Sequence, residues 1–173
     1  MPIVVMVLSS LALWGVYWFV RMGGIDHLRE QSVRRKDEAK RAQARESEHT
    51  APLRAIDDPR DAATILMLLI ARGRDPTAQQ IAAIEETMRR VFHFDQDLNE
   101  RLTQARFIAG RAQSFEQATG IFSDLFKKQL TPEERRELLG MVETIALIDG
   151  PGPSPIQTGQ LDVLKRRVGL AVA

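Results

Sequence analysis

GRDPTAQQIAAIEETMRRV, residues 73–91, returns in outline as GPGPSPIQTGQLDVLKRRV, residues 150–168. Gly73, Thr77, Gln80, Ile84, Arg89, Arg90 and Val91 face Gly150, Ser154, Gln157, Leu161, Arg166, Arg167 and Val168 at a constant offset of 77. Each copy holds a glycine turn, then a hydroxyl residue with glutamine three positions on, the pattern of a helix-starting capping box. Each closes on an Arg-Arg pair, placed where positive charge complements a helix C-terminus. Upstream, the same offset aligns Ile65 with Val142 and Leu68 with Ile145, so the repeated unit is a helix, a short turn and a second helix. Two such hairpins packed together predict an all-α bundle with an internal pseudo-two-fold repeat.

The remaining punctuation agrees. Asp57-Asp58-Pro59 supplies a cap and a first-turn proline for a helix carrying Ala62, Ile65, Leu66, Leu69 and Ile70 on one apolar face, which Gly73 should end. The next helix keeps Ile81, Ile84, Met88 and Val91 on its apolar side and is expected to reach about Phe92. Asp95 is a candidate cap for a third helix with Leu98, Leu102, Ala105 and Ile108. Ser114 opens a fourth, separated from the third or kinked against it near Gly110, with Phe115, Ala118, Ile121, Phe122, Leu125 and Phe126 to bury. Thr131-Pro132-Glu133-Glu134 combines cap, N1 proline and N3 glutamate for a fifth, lined by Leu138, Met141, Val142, Ile145 and Ile148. Ser154-Pro155-Ile156-Gln157 repeats that logic for a sixth, which should stop near Gly169. No alternating β-branched run suggests a strand.

Ahead of the bundle, Ile3 to Val20 form eighteen residues without a charge. As a helix they span roughly 27 Å, close to the thickness of a hydrocarbon core. Trp14, Tyr17 and Trp18 lie at the end of this run and Arg21 follows, as at a headgroup layer. A cleavable leader would have a basic start and a small-residue cleavage site, and neither is present. Arg21, Arg29, Arg34, Arg35, Lys36, Lys40, Arg41 and Arg45 all follow the run and none precedes it. The positive-inside bias thus places the C-terminal mass in the cytoplasm, on a single-pass protein of the inner (cytoplasmic) membrane. The expected organisation is an anchor over 1–22, contacting lipid through 3–20, a charged polar stalk over 23–52, and a helical domain over 53–173.

The 173 residues contain no cysteine, which excludes disulfides and thiolate chemistry, and the net charge of +1 hides a near-neutral C-terminal part. With 16 basic and 17 acidic residues after Pro52, nucleic acid is not an expected partner. There is no phosphate-cradling glycine loop, nucleophile elbow or H-E-x-x-H spacing. His93 is expected at a helix terminus without a chemical task. Glu85-Glu86 and Glu133-Glu134, adjacent in sequence, point to different helix faces and read as solvated surface.

The stretches LLIARGRDPTAQQIAAIEETMRRVF and LTPEERRELLGMVETIALIDGPGPSPIQTGQLDVLKRRVGL, about Asp58 to Leu170, resemble the tellurite-resistance TerB family. An N-terminal anchor before such a bundle is also similar to the middle segment of membrane-anchored J-domain co-chaperones, although no His-Pro-Asp motif occurs here. The resemblance implies a helical bundle associated with metal or oxyanion stress, and divalent-metal binding through acidic residues at the two glycine turns. Carried onto this chain, the position before Gly73 is Arg72 where the family has aspartate, the second turn keeps Asp149 before Gly150, and the helix-start acids are replaced by Gln80 and Gln157. Asp149, with Asp75 as a displaced partner, is what remains of that ligand set, and hard cations need several oxygen ligands. The expected function is a non-enzymatic, membrane-tethered interaction or scaffold module recruiting a cytoplasmic protein partner. No cofactor is expected. The alternative is a divalent-metal or oxyanion sensor acting at the Gly turns.

Overall fold

The computed structural model describes residues 50–71, 76–148 and 150–170, all within one compact unit that spans 47–173. The expected anchor and stalk lie almost wholly outside the described residues. Among those described, every regular element is helical and none is long and apolar enough to cross a membrane. After a helical turn over 50–54, six helices follow: α1 Pro59–Ile70, α2 Ala78–Arg90, α3 Leu98–Arg111, α4 Phe115–Gln129, α5 Pro132–Leu147 and α6 Pro155–Arg167.

Local chemistry sets the boundaries. Asp58 caps α1 by accepting the Arg60 amide at 2.9 Å, with Pro59 at the first helical position. Thr77 with Gln80, Thr131 with Glu134 and Ser154 with Gln157 each form a reciprocal capping box, so α2, α5 and α6 start where the sequence pattern requires. Ser114 caps α4 through the Gln117 amide, and α3 ends at Arg111, so α3 and α4 are separate helices rather than one kinked rod. Asp95 does not cap α3. The N-cap position is Asp97, which makes no capping bond because its carboxylate instead holds the Arg101 guanidinium one turn on.

The core is organised around α1, which packs against α2, α3, α4 and α5. Every residue from Ala62 to Ile70 is buried, including Ala63, Thr64, Met67 and Leu68, which the one-faced reading left outside. A helix apolar on all sides has no solvent face to offer and takes the centre of the domain. Its single hydroxyl is accommodated because Thr64 Oγ1 donates to the Arg60 carbonyl at 2.9 Å, within the helix itself. Phe115, Phe122 and Phe126 of α4 are fully buried, with Phe122 and Phe126 edge to face at 6.2 Å. Helix α6 packs against α4 and α5 and buries only Leu164 within its own span, followed by Val168 at its C-cap.

Candidate functional site

The densest polar constellation joins the start of α1 to the connection between α2 and α3. Three segments meet there, two of them held by apolar anchors. Phe92 and Phe94 are buried in the α2–α3 connection, with their rings edge to face at 5.9 Å, and Leu98 pins the start of α3. Polar groups close over these anchors. Arg60 forks onto both carboxylate oxygens of Asp58 and donates to the Phe92 carbonyl at 3.2 Å. Arg101 reaches from α3 to Asp61 at 2.9 Å and to Asp58 at 3.4 Å while its Nε engages Asp97. Both guanidiniums lie over the Phe94 ring, at 4.6 Å for Arg60 and 4.2 Å for Arg101, within cation–π range.

The three carboxylates titrate differently in this cluster. Burial pushes the Asp58 carboxyl up, but hydrogen bonds and charge from Arg60, with the charge of Arg101, outweigh it and hold the group below its ordinary value. Burial wins at Asp61, whose carboxyl lies above the ordinary value even though Arg101 pulls it back. Asp97 is lowered, first by the hydrogen bond from Arg101. Arg101 is raised in turn, first by its bond to Asp97. With each carboxylate engaged by a guanidinium, the cluster is a clasp that fixes helix ends. Sequence reasoning passed over it, yet signals were present: DDPRD at 57–61 sets Arg60 among three acids, and Asp97 and Arg101 are spaced i,i+4.

Away from this cluster, the start of α6 meets the end of α1. Gln157 of α6 accepts the Ser154 amide at 2.9 Å and donates through Nε2 to the Ile70 carbonyl at the end of α1, at 3.1 Å. This bond brings the start of α6 to the last turn of α1. Gln80 is buried and accepts the Thr77 amide at 3.0 Å. Both glutamines at the positions where the TerB resemblance implies acids are thus engaged as caps. Asp149, Arg72 and Asp75 lie outside the described residues. Among the described residues no group of three or more His, Asp or Glu is placed to hold a metal ion.

Other residues marked by the sequence fall as follows. Arg89 and Arg90 occupy the last turn of α2, and Lys165, Arg166 and Arg167 the last turn of α6. Glu86, Glu133 and Glu134 are exposed, and Glu85 is half-buried with Arg89 at 3.9 Å. His93 follows α2 with φ of 57°, a left-handed conformation uncommon for a residue with a side chain. Ile156, 75% exposed at the second position of α6, and Leu147 at the end of α5 flank the α5–α6 connection as exposed apolar side chains. No protein-family model, no curated protein and no solved structure matches this chain.

Proposed function

We propose that the chain is a membrane-tethered interaction module, in which a compact helical head is held at the bilayer by its N-terminal segment and recruits a protein partner. The observation that carries this reading is the uncharged run over residues 3–20, with Trp14, Tyr17, Trp18 and Arg21 at its end, ahead of a compact unit beginning at residue 47. The TerB-like repeat of the head adds the expectation of a role in envelope, metal or oxyanion stress. Support for a binding rather than a catalytic role comes from the polar cluster, whose carboxylates are each committed to an arginine that fixes helix ends. The apolar side chains of Ile156 and Leu147 provide a contact point for a partner, since large exposed apolar groups concentrate at association surfaces.

Two measurements test the reading. The full chain is expected in the membrane fraction after alkaline wash, and Leu11→Arg with Val16→Arg in the uncharged run is expected to release it, because an arginine at mid-span costs about 2.5–3.5 kcal/mol on insertion scales. Recovery of the native chain in the soluble fraction would remove the tether. Crosslinking in membranes is then expected to capture a defined protein with the native chain and to lose it with Ile156→Asp. Capture unaffected by Ile156→Asp and Leu147→Asp would remove this contact point.

A further inference from the structure

We propose that α6 is a releasable strap, which opens as an intact helix while α1 to α5 remain folded. Three observations point to this, and none depends on the membrane reading. First, α6 closes its own ends. The Ser154 and Gln157 capping box satisfies amides at its start, and at its end Gly169, with φ of 78°, lets the Gly169 amide donate to Arg166 and the Leu170 amide to Lys165. That exit is a Schellman arrangement, which satisfies carbonyls that a helix terminus otherwise leaves unpaired. Lifting the helix off therefore orphans little of its backbone.

Second, few side chains hold it down. Leu164 is the one residue buried within α6, Val168 is buried just beyond it, and Leu161 and Leu170 are partly buried against the core. Among the described residues two polar ties complete the attachment: Gln157 Nε2 to the Ile70 carbonyl at 3.1 Å, and Arg135 Nη1 to the Val168 carbonyl at 2.6 Å. Third, the equivalent helix of the other hairpin is attached further. Beyond α2 the chain passes through the buried Phe92 and Phe94 into the clasp of Arg60 and Arg101, which fastens it to both α1 and α3. Beyond α6 the described chain buries Val168, half-buries Leu170 and enters no such clasp. Local openings are drawn from elements with few buried apolar contacts, and α6 meets that condition better than α1, α3 or α4.

Opening bares the face of α4 and α5 on which α6 packs and frees the buried Leu164 and Val168, an apolar surface switched on by movement of a single element. Amide hydrogen exchange on the full chain in detergent tests the proposal. Amides of residues 161–167 are expected to exchange at least about 30-fold faster than those of residues 65–70, after correction for intrinsic rates. Leu164→Ala is expected to speed the α6 amides by a further factor of about 30 or more, the lower end for a buried Leu→Ala change, and to leave α1 unchanged. Arg135→Lys, a milder change that disturbs the tie to Val168, is expected to act in the same direction by a smaller factor. Equal protection of α6 and α1 in the native chain would overturn the proposal. So would an equal acceleration of both helices in either variant, or loss of the whole fold in both, because α6 would then open only with the global transition.

Discussion

The α1–α2 and α5–α6 hairpins enter their second helices in one register and leave them in another. Thr77 and Ser154 cap at an offset of 77, Gln80 and Gln157 close the boxes at the same offset, and the two helices have the same length of 13 residues. At the exits the offset becomes 76. Buried Phe92 corresponds to buried Val168, and left-handed His93 to left-handed Gly169. The carbonyls that receive an arginine from the preceding helix, Phe92 from Arg60 and Val168 from Arg135, follow the shifted register too. The first copy holds one extra residue in its last turn. There the Thr87 carbonyl receives both the Val91 and the Phe92 amides, and Phe94 reaches back to Met88 where Leu170 reaches back only to Lys165. A widened final turn of this kind absorbs a residue without breaking the helix. The repeat therefore conserves a way of closing a hairpin, one arginine onto the last carbonyl, more faithfully than it conserves residue-by-residue alignment.

Burial separates the hairpins more sharply than register does. Helix α1 is buried over nine of its 12 residues and α5 over four of its 16, although both lead the same motif. Duplicated elements need not share a place in the core, because only one of the pair can be central. Leu66→Ala in α1 is expected to cost about 2–5 kcal/mol, the range for a fully buried leucine with a cavity left behind. Leu161→Ala in α6, at a half-buried site, is expected to cost about 1 kcal/mol. Urea unfolding at constant m-value measures both, and equal costs would mean that the two hairpins contribute alike.

The register shift has its own test in a pair that the sequence aligns. Val91 is 41% exposed and Val168 is 0% exposed, although they face each other at an offset of 77. Val168→Ala is expected to destabilise by about 1.5–2.5 kcal/mol, from two lost methyl groups and the cavity. Val91→Ala should change stability by less than about 0.5 kcal/mol. Similar values at the two sites would restore the 77 register through the exits.

Much of the fold was legible because its signals are local. Proline at N1, hydroxyl caps and glutamine or glutamate at N3 act within one turn, so five of the helix starts follow directly from Asp58, Thr77, Ser114, Thr131 and Ser154. What was not legible depends on contacts between elements. Asp95 resembles a cap as well as Asp97 does, and neither makes a capping bond once Arg101 draws the Asp97 carboxylate aside. Val91 looks apolar-faced because a regular helical period continues through it, yet it is the C-cap of α2 and stands 41% exposed. The uncharged stretch from Ala62 to Ala71 held a signal that the one-faced reading missed, since amphipathic surface helices carry a polar face and this segment has none. At the glycine turns, sequence shows that glutamines stand where acids are implied, but only the geometry assigns Gln157 to tying α6 to α1.

The left-handed exits sharpen the comparison at lower amplitude. Gly169→Ala is expected to cost about 1–2 kcal/mol from the positive φ, and the added Cβ would lie 3.3 Å from Arg135 Nη1, loosening the tie to Val168. At the equivalent site the strain is already present, so His93→Gly should gain up to about 0.5 kcal/mol, less the extra chain entropy of glycine. Opposite signs at the two positions in thermal unfolding are the expected result. A loss at both would show that the His93 side chain contributes contacts exceeding its backbone strain.

The smallest effects should come from pH, where among the described residues the first hairpin alone has a carboxylate clasp, while Arg135 in the second bonds to the carbonyls of Thr131 and Val168. Asp58 has a folded pKa below its unfolded value, so its contribution is present above the unfolded pKa and fades as pH falls through the folded one. Asp61 runs the other way. Its raised folded pKa means that the folded state keeps a proton the unfolded chain has lost, so stability declines as pH rises from the unfolded value through the folded one. The stability difference between the native chain and Asp58→Asn should therefore widen in favour of the native chain as pH rises from about 2 to 4. The difference from Asp61→Asn should move against the native chain from about pH 4 upward, near the ordinary carboxylate range. Both variants keep a group of similar shape that can accept a hydrogen bond, so the pH slope isolates the charge. Parallel stability curves for the three proteins would mean that the clasp is screened by solvent and that the hairpins differ in packing alone.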